Sequence, residues 1–410
     1  MPRIAIVGGG PAGSAFALHA LKLGVDPSDL VVLDRARFPR PKLCGGALTW
    51  RGTELVRELV PDLVPHESAR MQTTHLRFRS ARGDFEVRER GPQWLYDRAH
   101  LDDRLLAAVI EAGVEVRQST AVKAVEPGVG STVVRTKAGP ESFEWVVGAD
   151  GARGVVARSV NLPRGIVGRL VEAIYEPEPG HEPDPAELLF DFDPILDGIP
   201  GYAWVFPYPK PTATGEPTTE TTPGLYKLGI MDGRGVAEGQ ALREWTDAFA
   251  EREGFRRIDE KIAGWPEHYW SHRTRAHVPG VILTGEAWGI DPLLGEGIAP
   301  AIEISRYAAG RLKEALDAGS RTIPTYEKGF RKTVPGKNLR FQQRLADLLY
   351  GKNPLRWLDV LFSHRRMLAL AAAGTEAYGQ LEKHTWPLIW SYVWQVLTGG
   401  HRPTPRLQAG

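Results

Sequence analysis

The chain has 410 residues, 42% hydrophobic and 25% charged, proportions that suit a globular protein of two or three domains. Lys plus Arg number 51 against 50 acids, so no global field points to nucleic acid or to an acidic partner. The single cysteine, Cys44, excludes an intrachain disulfide and a cysteine-cluster zinc site, and no metal is expected; a reducing, cytoplasmic setting follows.

Residues 3–14 read RIAIVGGGPAGS. Ile4–Val7 is a short apolar run of the kind that forms a strand buried on both faces, and the glycines that follow set it apart from a signal peptide. Gly8, Gly10 and Gly13 form GxGxxG, and helical spacing continues over Ala15–Leu23. In this layout the first glycine permits a tight turn, the second admits a pyrophosphate to the backbone, and the third packs helix against strand. The helix N-terminus adds unpaired N–H groups and a partial positive charge. A second strand, Leu30–Leu33, ends in Asp34, 21 residues beyond Gly13, where an acid accepts from the ribose hydroxyls of a dinucleotide.

Residues 35–52 are dense in Pro and Gly and read as a loop whose Arg and Lys side chains are suited to phosphates. Cys44 lies in this loop before Gly45 and Gly46. It is open to two readings, a small residue buried at a turn or a functional thiol. Residues 74–80 and 84–89 alternate about Ala81-Arg82-Gly83 and predict a hairpin with a three-residue loop. A helix is expected from about Tyr96 to Ala112, with Leu101, Leu105, Leu106, Val109 and Ile110 as its core face. Arg98 at its start opposes the helix dipole, so it is either solvated or held by another partner.

Val114–Arg117, Ala121–Glu126, Ser131–Lys137 and Phe143–Val147 are strand candidates, with a hairpin turn at 127–130. The last runs into Gly148-Ala149-Asp150-Gly151, a second close backbone approach at the carboxyl edge of a parallel sheet. Over 166–275, the strands Gly168–Tyr175, Ala186–Phe190, Tyr202–Pro207 and Leu225–Met231 follow each other with little helix, which predicts an antiparallel sheet. Within it, 210–224 reads as a loop and Trp245–Phe255 as a short helix. The parallel domain resumes at Val281–Leu283, closed by Gly285-Glu286, and Gly295-Glu296-Gly297-Ile298 opens a long helix with its N–H groups aimed at a ligand. Residues 322–400 are mainly helical. They carry six cations and no acid between 328 and 344, and Trp386, Trp390 and Trp394 on one helical face. No run reaches the ~18–20 apolar residues needed to span a bilayer. The cations and the tryptophan face fit either a membrane surface or a solvated helix beside a packed one.

GGGPAGS, Asp34, Arg98 with Leu101-Asp102, GADGAR and the stretch from Gly285 to Ile298 resemble the FAD-dependent oxidoreductases of the para-hydroxybenzoate hydroxylase fold. Lys42-Leu43-Cys44-Gly45-Gly46, the Tyr202-x-Trp204-x-Phe206-Pro207 stretch and Pro292-Leu-Leu-Gly295-Glu296-Gly297-Ile298 resemble the geranylgeranyl reductase family within it. The chain departs from that pattern at Glu286, where the family usually has Asp. It departs again where the 210–224 loop separates Phe-Pro from Leu228-Gly229.

The resemblance implies an α/β fold. Its Rossmann-like FAD-binding domain would comprise 1–70, 95–165 and 276–320. An antiparallel-sheet substrate domain would comprise 71–94 and 166–275, and a C-terminal helical region 321–410. By the same resemblance, Gly8, Gly10, Pro11, Ala12 and Gly13 hold the pyrophosphate, and Asp34 with Arg35 the ribose side. Arg98 holds the phosphates. Cys44, Gly45, Gly46, Val122, Asp150 and Gly151 lie near the cofactor, and Glu286 takes the ribitol. Pro292, Gly295, Gly297 and Ile298 face the flavin ring, where N–H groups stabilise the anionic reduced form.

Tyr202, Trp204, Phe206 and Pro207 would wall a hydrophobic substrate, although an apolar strand of this kind equally suits a core. The implied reaction is reduction of carbon–carbon double bonds of a prenyl chain, with Cys44 as a candidate donor of the proton. A free thiol, with its pKa of about 8.5, is a weak acid for an isolated alkene. Electrons would come from NADPH, ferredoxin or a similar visiting donor, since no second nucleotide-binding domain is evident. The alternatives are a flavin monooxygenase or halogenase of the same fold, and a flavin-binding protein that serves a partner without turnover. The expected location is cytoplasmic, with contact at the inner face of the membrane.

Overall fold

The computed structural model describes residues 3–63, 69–208 and 224–363. Its centre is a six-stranded sheet in the order 277–278, 281–283, 145–148, 4–7, 30–33, 115–117. All neighbours are parallel except the edge strand His277–Val278, which returns antiparallel on Val281–Leu283. Ile4–Val7, Leu30–Leu33 and Trp145–Gly148 are buried along their whole length, as unbroken apolar runs in a covered parallel sheet must be. The first helix begins at Pro11, four residues earlier than its apolar spacing suggests, because proline's fixed φ and missing N–H suit the first helical position.

A nine-stranded sheet holds Val167–Pro177, Glu187–Asp191, Gly201–Tyr208 and Leu225–Asp232, together with the hairpin Ala69–Ser80 and Gly83–Tyr96. It is antiparallel apart from one pair: Glu187–Asp191 runs parallel to Ala69–Ser80. The hairpin turn has two residues rather than three, since Ser80 and Gly83 still pair. One face of this sheet packs on the helix Gly239–Arg252 through Ala203, Val205, Leu228 and Ile230. That helix ends before Gly254, whose φ of +75° turns the chain into the strand Phe255–Arg257, so Phe255 is not helical. The other face is aromatic and is closed at one end by the helices Val334–Leu349 and Pro354–Ser363.

Three further expectations shift. Ile110 is 48% exposed, so the helix Arg98–Glu111 turns it away from the core that takes Val109. The run 143–147 divides at Glu144: Pro140–Phe143 pairs with Thr132–Arg135 in a small separate sheet, while Trp145–Gly148 joins the parallel one. The strand predicted from Ala121 begins at Ala124. No described helix is long and apolar enough to cross a membrane. The 210–224 loop, apart from Gly224, and the Trp386–Trp394 face lie outside the described residues.

Candidate functional site

Four parallel strands deliver their carboxyl-end loops, at Gly8, Asp34, Asp150 and Glu286, to one cavity of about 1010 Å³. The aromatic face of the nine-stranded sheet forms its far wall. A crevice beyond the carboxyl edge is where open α/β sheets bind ligands.

The entry turn is built for close approach. Gly8 has φ +107°, and a Cβ there would lie 2.4 Å from the carbonyl oxygen of Ala149. A Cβ on Gly13 would lie 1.8 Å from the carbonyl of Gly8, so this glycine packs the helix and does not line the cavity. Gly10 differs: a Cβ there would meet only the Arg40 guanidinium, at 3.3 Å, and would project into the cavity. Asp34 accepts from the backbone N–H groups of Gly9 and Ala36, each at 2.7 Å, and so fixes the turn while lining the cavity.

Two helices, Pro11–Lys22 and Ile298–Asp317, point N-termini at this cavity from glycine caps, Gly10 and Gly297, with no side-chain cap and no acid in the first turn. Ser305 Oγ, donating to the carbonyl of Ala12 at 2.8 Å, ties the two together. Two orphaned sets of N–H groups on one space suit a phosphate and a second electron-rich group. Arg40 and Arg98 add cations. Arg98 is buried, with Nε 3.0 Å and Nη2 3.2 Å from the two oxygens of Asp102, and Arg40 lies 3.3 Å from the same carboxylate. Burial opposes the Arg98 charge, but Asp102 and then Cys44 hold the guanidinium above its ordinary range.

FAD fits these residues. The Gly10 cradle is one that a side chain would fill, and the uncapped helix ends supply donors where an anionic dinucleotide needs them. Asp150 accepts from Val155 at 2.5 Å and Val156 at 2.9 Å through Oδ2, while its buried Oδ1 has no protein partner. Burial raises its pKa against those two N–H groups. Glu286 lines the cavity with Oε2 3.3 Å from the Cβ position of Gly151.

The cysteine loop crosses between the two halves of the cavity. Gly45 lies flat on Phe206: a Cβ would stand 2.6 Å from the ring. Gly46, at φ +85°, packs on the carbonyl of Tyr96, and its N–H donates to Cys44 Sγ at 3.4 Å. Tyr202, Trp204 and Phe206 alternate onto the cavity side of their strand and extend an aromatic wall with Phe78 and Phe190. Pro207 falls on the opposite side by the same two-residue period and is not part of the wall. Pro292 is also buried outside the cavity lining. The remaining expected residues, Arg35, Val122, Gly151, Gly295 and Ile298 among them, line the cavity.

Several lining residues have no counterpart in the sequence reading. Asp291 accepts from Leu293 at 2.8 Å and Leu294 at 3.1 Å and so shapes the turn before Gly295; burial lifts it to about 6 against those bonds. Glu172 also lines the cavity, and Lys227, on the neighbouring strand, lies 3.6 Å from it outside the lining. Their signal was legible as one acid and one base inside otherwise apolar runs. Glu267 lies in a strand, Ala263–His268, that Pro266 disguises. Trp265 is likewise new, and its ring carries Lys42 of the cysteine loop and Arg153 of GADGAR, at 4.4 and 4.2 Å.

Comparison with known proteins agrees with this geometry. A model described as "FAD binding domain" matches residues 2–173. Digeranylgeranylglycerophospholipid reductase 2 of Methanothermobacter thermautotrophicus is 27% identical over 85% of this chain and 88% of its own. Geranylgeranyl diphosphate reductase of Rhodobacter capsulatus is 29% identical over 88% of this chain and 87% of its own. A geranylgeranyl bacteriochlorophyll reductase-like protein of Thermoplasma acidophilum superposes with a TM-score of 0.72 at 19% identity, covering 94% of this chain and 98% of that one. A triple mutant of the flavin-dependent brominase Bmp2 shares the fold, with a TM-score of 0.70 at 16% identity over 98% of this chain and 100% of that one.

Proposed function

We propose that this chain is an FAD-dependent oxidoreductase akin to the geranylgeranyl reductases and that it reduces carbon–carbon double bonds of a prenyl or similarly hydrophobic chain. The observation that carries this reading is the continuity of one cavity, with phosphate-binding turns at one end and the Phe78–Phe190–Tyr202–Trp204–Phe206 wall at the other. Reduced flavin, when bound, supplies a hydride. The chain orients cofactor and substrate and excludes water: Gly10, Arg40 and Arg98 address phosphates, and the Gly297 helix end addresses the electron-rich ring. The aromatic wall takes an apolar chain without asking it to hydrogen-bond.

The donor of electrons is NADPH or a ferredoxin-type protein that visits, a reading supported by the absence of a second glycine-rich nucleotide motif in the sequence. Delivery of a water-insoluble substrate fits contact with an anionic membrane surface. Lys328, Arg331, Lys332, Lys337 and Arg340 support it, because they gather around one depression of about 540 Å³.

Anaerobic photoreduction of the FAD-loaded protein, followed by mixing with geranylgeranyl diphosphate or with oxygen, tests the reading. Reoxidation by the prenyl substrate with a reduced product is expected. Inertness to prenyl alkenes, with an oxygen adduct that hydroxylates or halogenates an aromatic compound, would overturn it.

A further inference from the structure

Reduction of an isolated double bond needs a proton as well as a hydride, and the alkene carbon itself stabilises little charge. The donor must therefore stand in the cavity, hold a proton near neutral pH, and be screened from bulk water. Among the described residues Glu267 meets these conditions by its placement. It lies on the cavity side of its strand beside Trp265, and both line the cavity. Oε2 accepts from Tyr269 Oη at 3.0 Å and stands 2.9 Å from the Cβ position of Gly295, so the carboxyl rests against the turn that leads into the helix end at Gly297. A side chain at 295 would displace it, and Gly295, at φ +73°, has none.

The groups facing this carboxyl come from every surrounding segment: Glu286 and Asp291 from the loops after the last parallel strand, Lys42 from the cysteine loop, Tyr202 from the aromatic wall, and Tyr269 beside it. Burial, then Glu286, pushes the Glu267 pKa up to about 8, against the Tyr269 hydrogen bond and the Lys42 charge.

We propose that Glu267 is the proton donor of the double-bond reduction. This rests on the reductase reading above. The hydride from reduced flavin forms a C–H bond at one alkene carbon as the π bond breaks, and the Glu267 O–H proton forms the second C–H bond at the other carbon. Flavin is oxidised by two electrons, the alkene is reduced by two, and the Glu267 carboxylate that remains takes its proton back from water between turnovers. Tyr269 holds the carboxyl in place through both states as a positioning residue.

The test uses the FAD-loaded wild type, Glu267→Gln and Glu267→Asp. Gln keeps an oxygen acceptor for Tyr269 but carries no acidic proton. FAD affinity and binding of geranylgeranyl diphosphate to the oxidised protein should be unchanged. Reoxidation of photoreduced flavin by that substrate should fall about 100-fold or more in Glu267→Gln and be partly retained in Glu267→Asp. The wild-type rate should decline above about pH 8, and the residual Gln rate should lack that decline. Independently of turnover, infrared difference spectra should show a protonated-carboxyl band that disappears in wild type between about pH 6.5 and 9.5 and is missing from Glu267→Gln. A Gln variant with the wild-type rate and pH profile overturns the proposal and leaves the reductase reading intact. A wild type whose reduced flavin ignores prenyl alkenes overturns both, and the infrared band then reports a cavity-lining acid with no role in reduction.

Discussion

The ammonium of Lys227 donates to the carbonyl oxygen of Cys44 at 2.6 Å while lying 3.6 Å from the carboxylate of Glu172. A buried ion pair on two strands of the nine-stranded sheet thus anchors the backbone of the cysteine loop. The aromatic wall and the dinucleotide turns meet at that loop, so its position couples the two halves of the cavity. Replacing Lys227 by Met strands Glu172 as a buried charge, which typically costs about 3–5 kcal/mol. The double variant Lys227→Met with Glu172→Gln should recover much of that stability in urea melts. It should still lose turnover, because Cys44 has lost its anchor. A double variant with normal turnover would show that the anchor does not set the loop.

Glycines 10 and 13 should fail in different ways. Gly10→Arg fills the phosphate position, so the apoprotein folds with a normal circular dichroism spectrum yet stays colourless with added FAD. Gly13→Ala places a methyl 1.8 Å from a backbone carbonyl and should cost stability, by about 1–3 kcal/mol or more, before any ligand is added. Thermal melts of the two apoproteins separate the cases.

Cys44→Ala should retain FAD, since Gly45 and Gly46, not the thiol, set the close contacts of the loop. Turnover, or the choice of double bonds reduced, should change. Product analysis by mass spectrometry checks this, and an unchanged rate and product pattern would leave Cys44 a packing residue.

Acid stability should depend on His268. Its Nε2 accepts from Gly165 N–H at 2.9 Å, so the proton sits on Nδ1, which donates to the carbonyl of Glu286 at 3.1 Å. Burial lowers its pKa from 6.5 to about 4. Between those values the unfolded chain binds the extra proton, so stability held by the neutral ring is lost as pH falls from about 6.5 towards 4. Glu303 works in the opposite sense: burial raises it from 4.5 to about 7 against Arg51, and its contribution is lost as pH rises through that window. Denaturant melts across pH should show His268→Gln losing the acid-side slope and Glu303→Gln losing the opposing one. Parallel slopes in all three proteins would contradict both assignments.

Binding to anionic liposomes should weaken with salt and fall when Lys328, Arg331 and Lys332 become Gln, because a basic surface gains about 1 kcal/mol per cation. Co-sedimentation with anionic and neutral vesicles measures it. Equal binding to both, or none, would remove the membrane reading.

Local pattern alone was enough for the dinucleotide half of the site. Gly8, Gly10, Gly13 and Asp34 act within one strand–turn–helix–strand unit, where spacing dictates geometry. The alternation of Tyr202, Trp204 and Phe206 likewise placed all three on one face of a strand. Pro207 failed by the same period, since an odd step turns a side chain to the other face. Tertiary structure decided what distance along the chain conceals. Glu172 reaches Lys227 across two strands, and Lys227 reaches Cys44 from 183 positions away. Glu267 meets Gly295 only because the nine-stranded sheet folds over the mouth of the parallel one. A carboxyl's charge state depends on how much water and which neighbours surround it, and those are properties of the assembled cavity. The glycine-rich turns were therefore legible in the order of residues, while the cavity-lining acid Glu267 appears only when the two sheets close around one space.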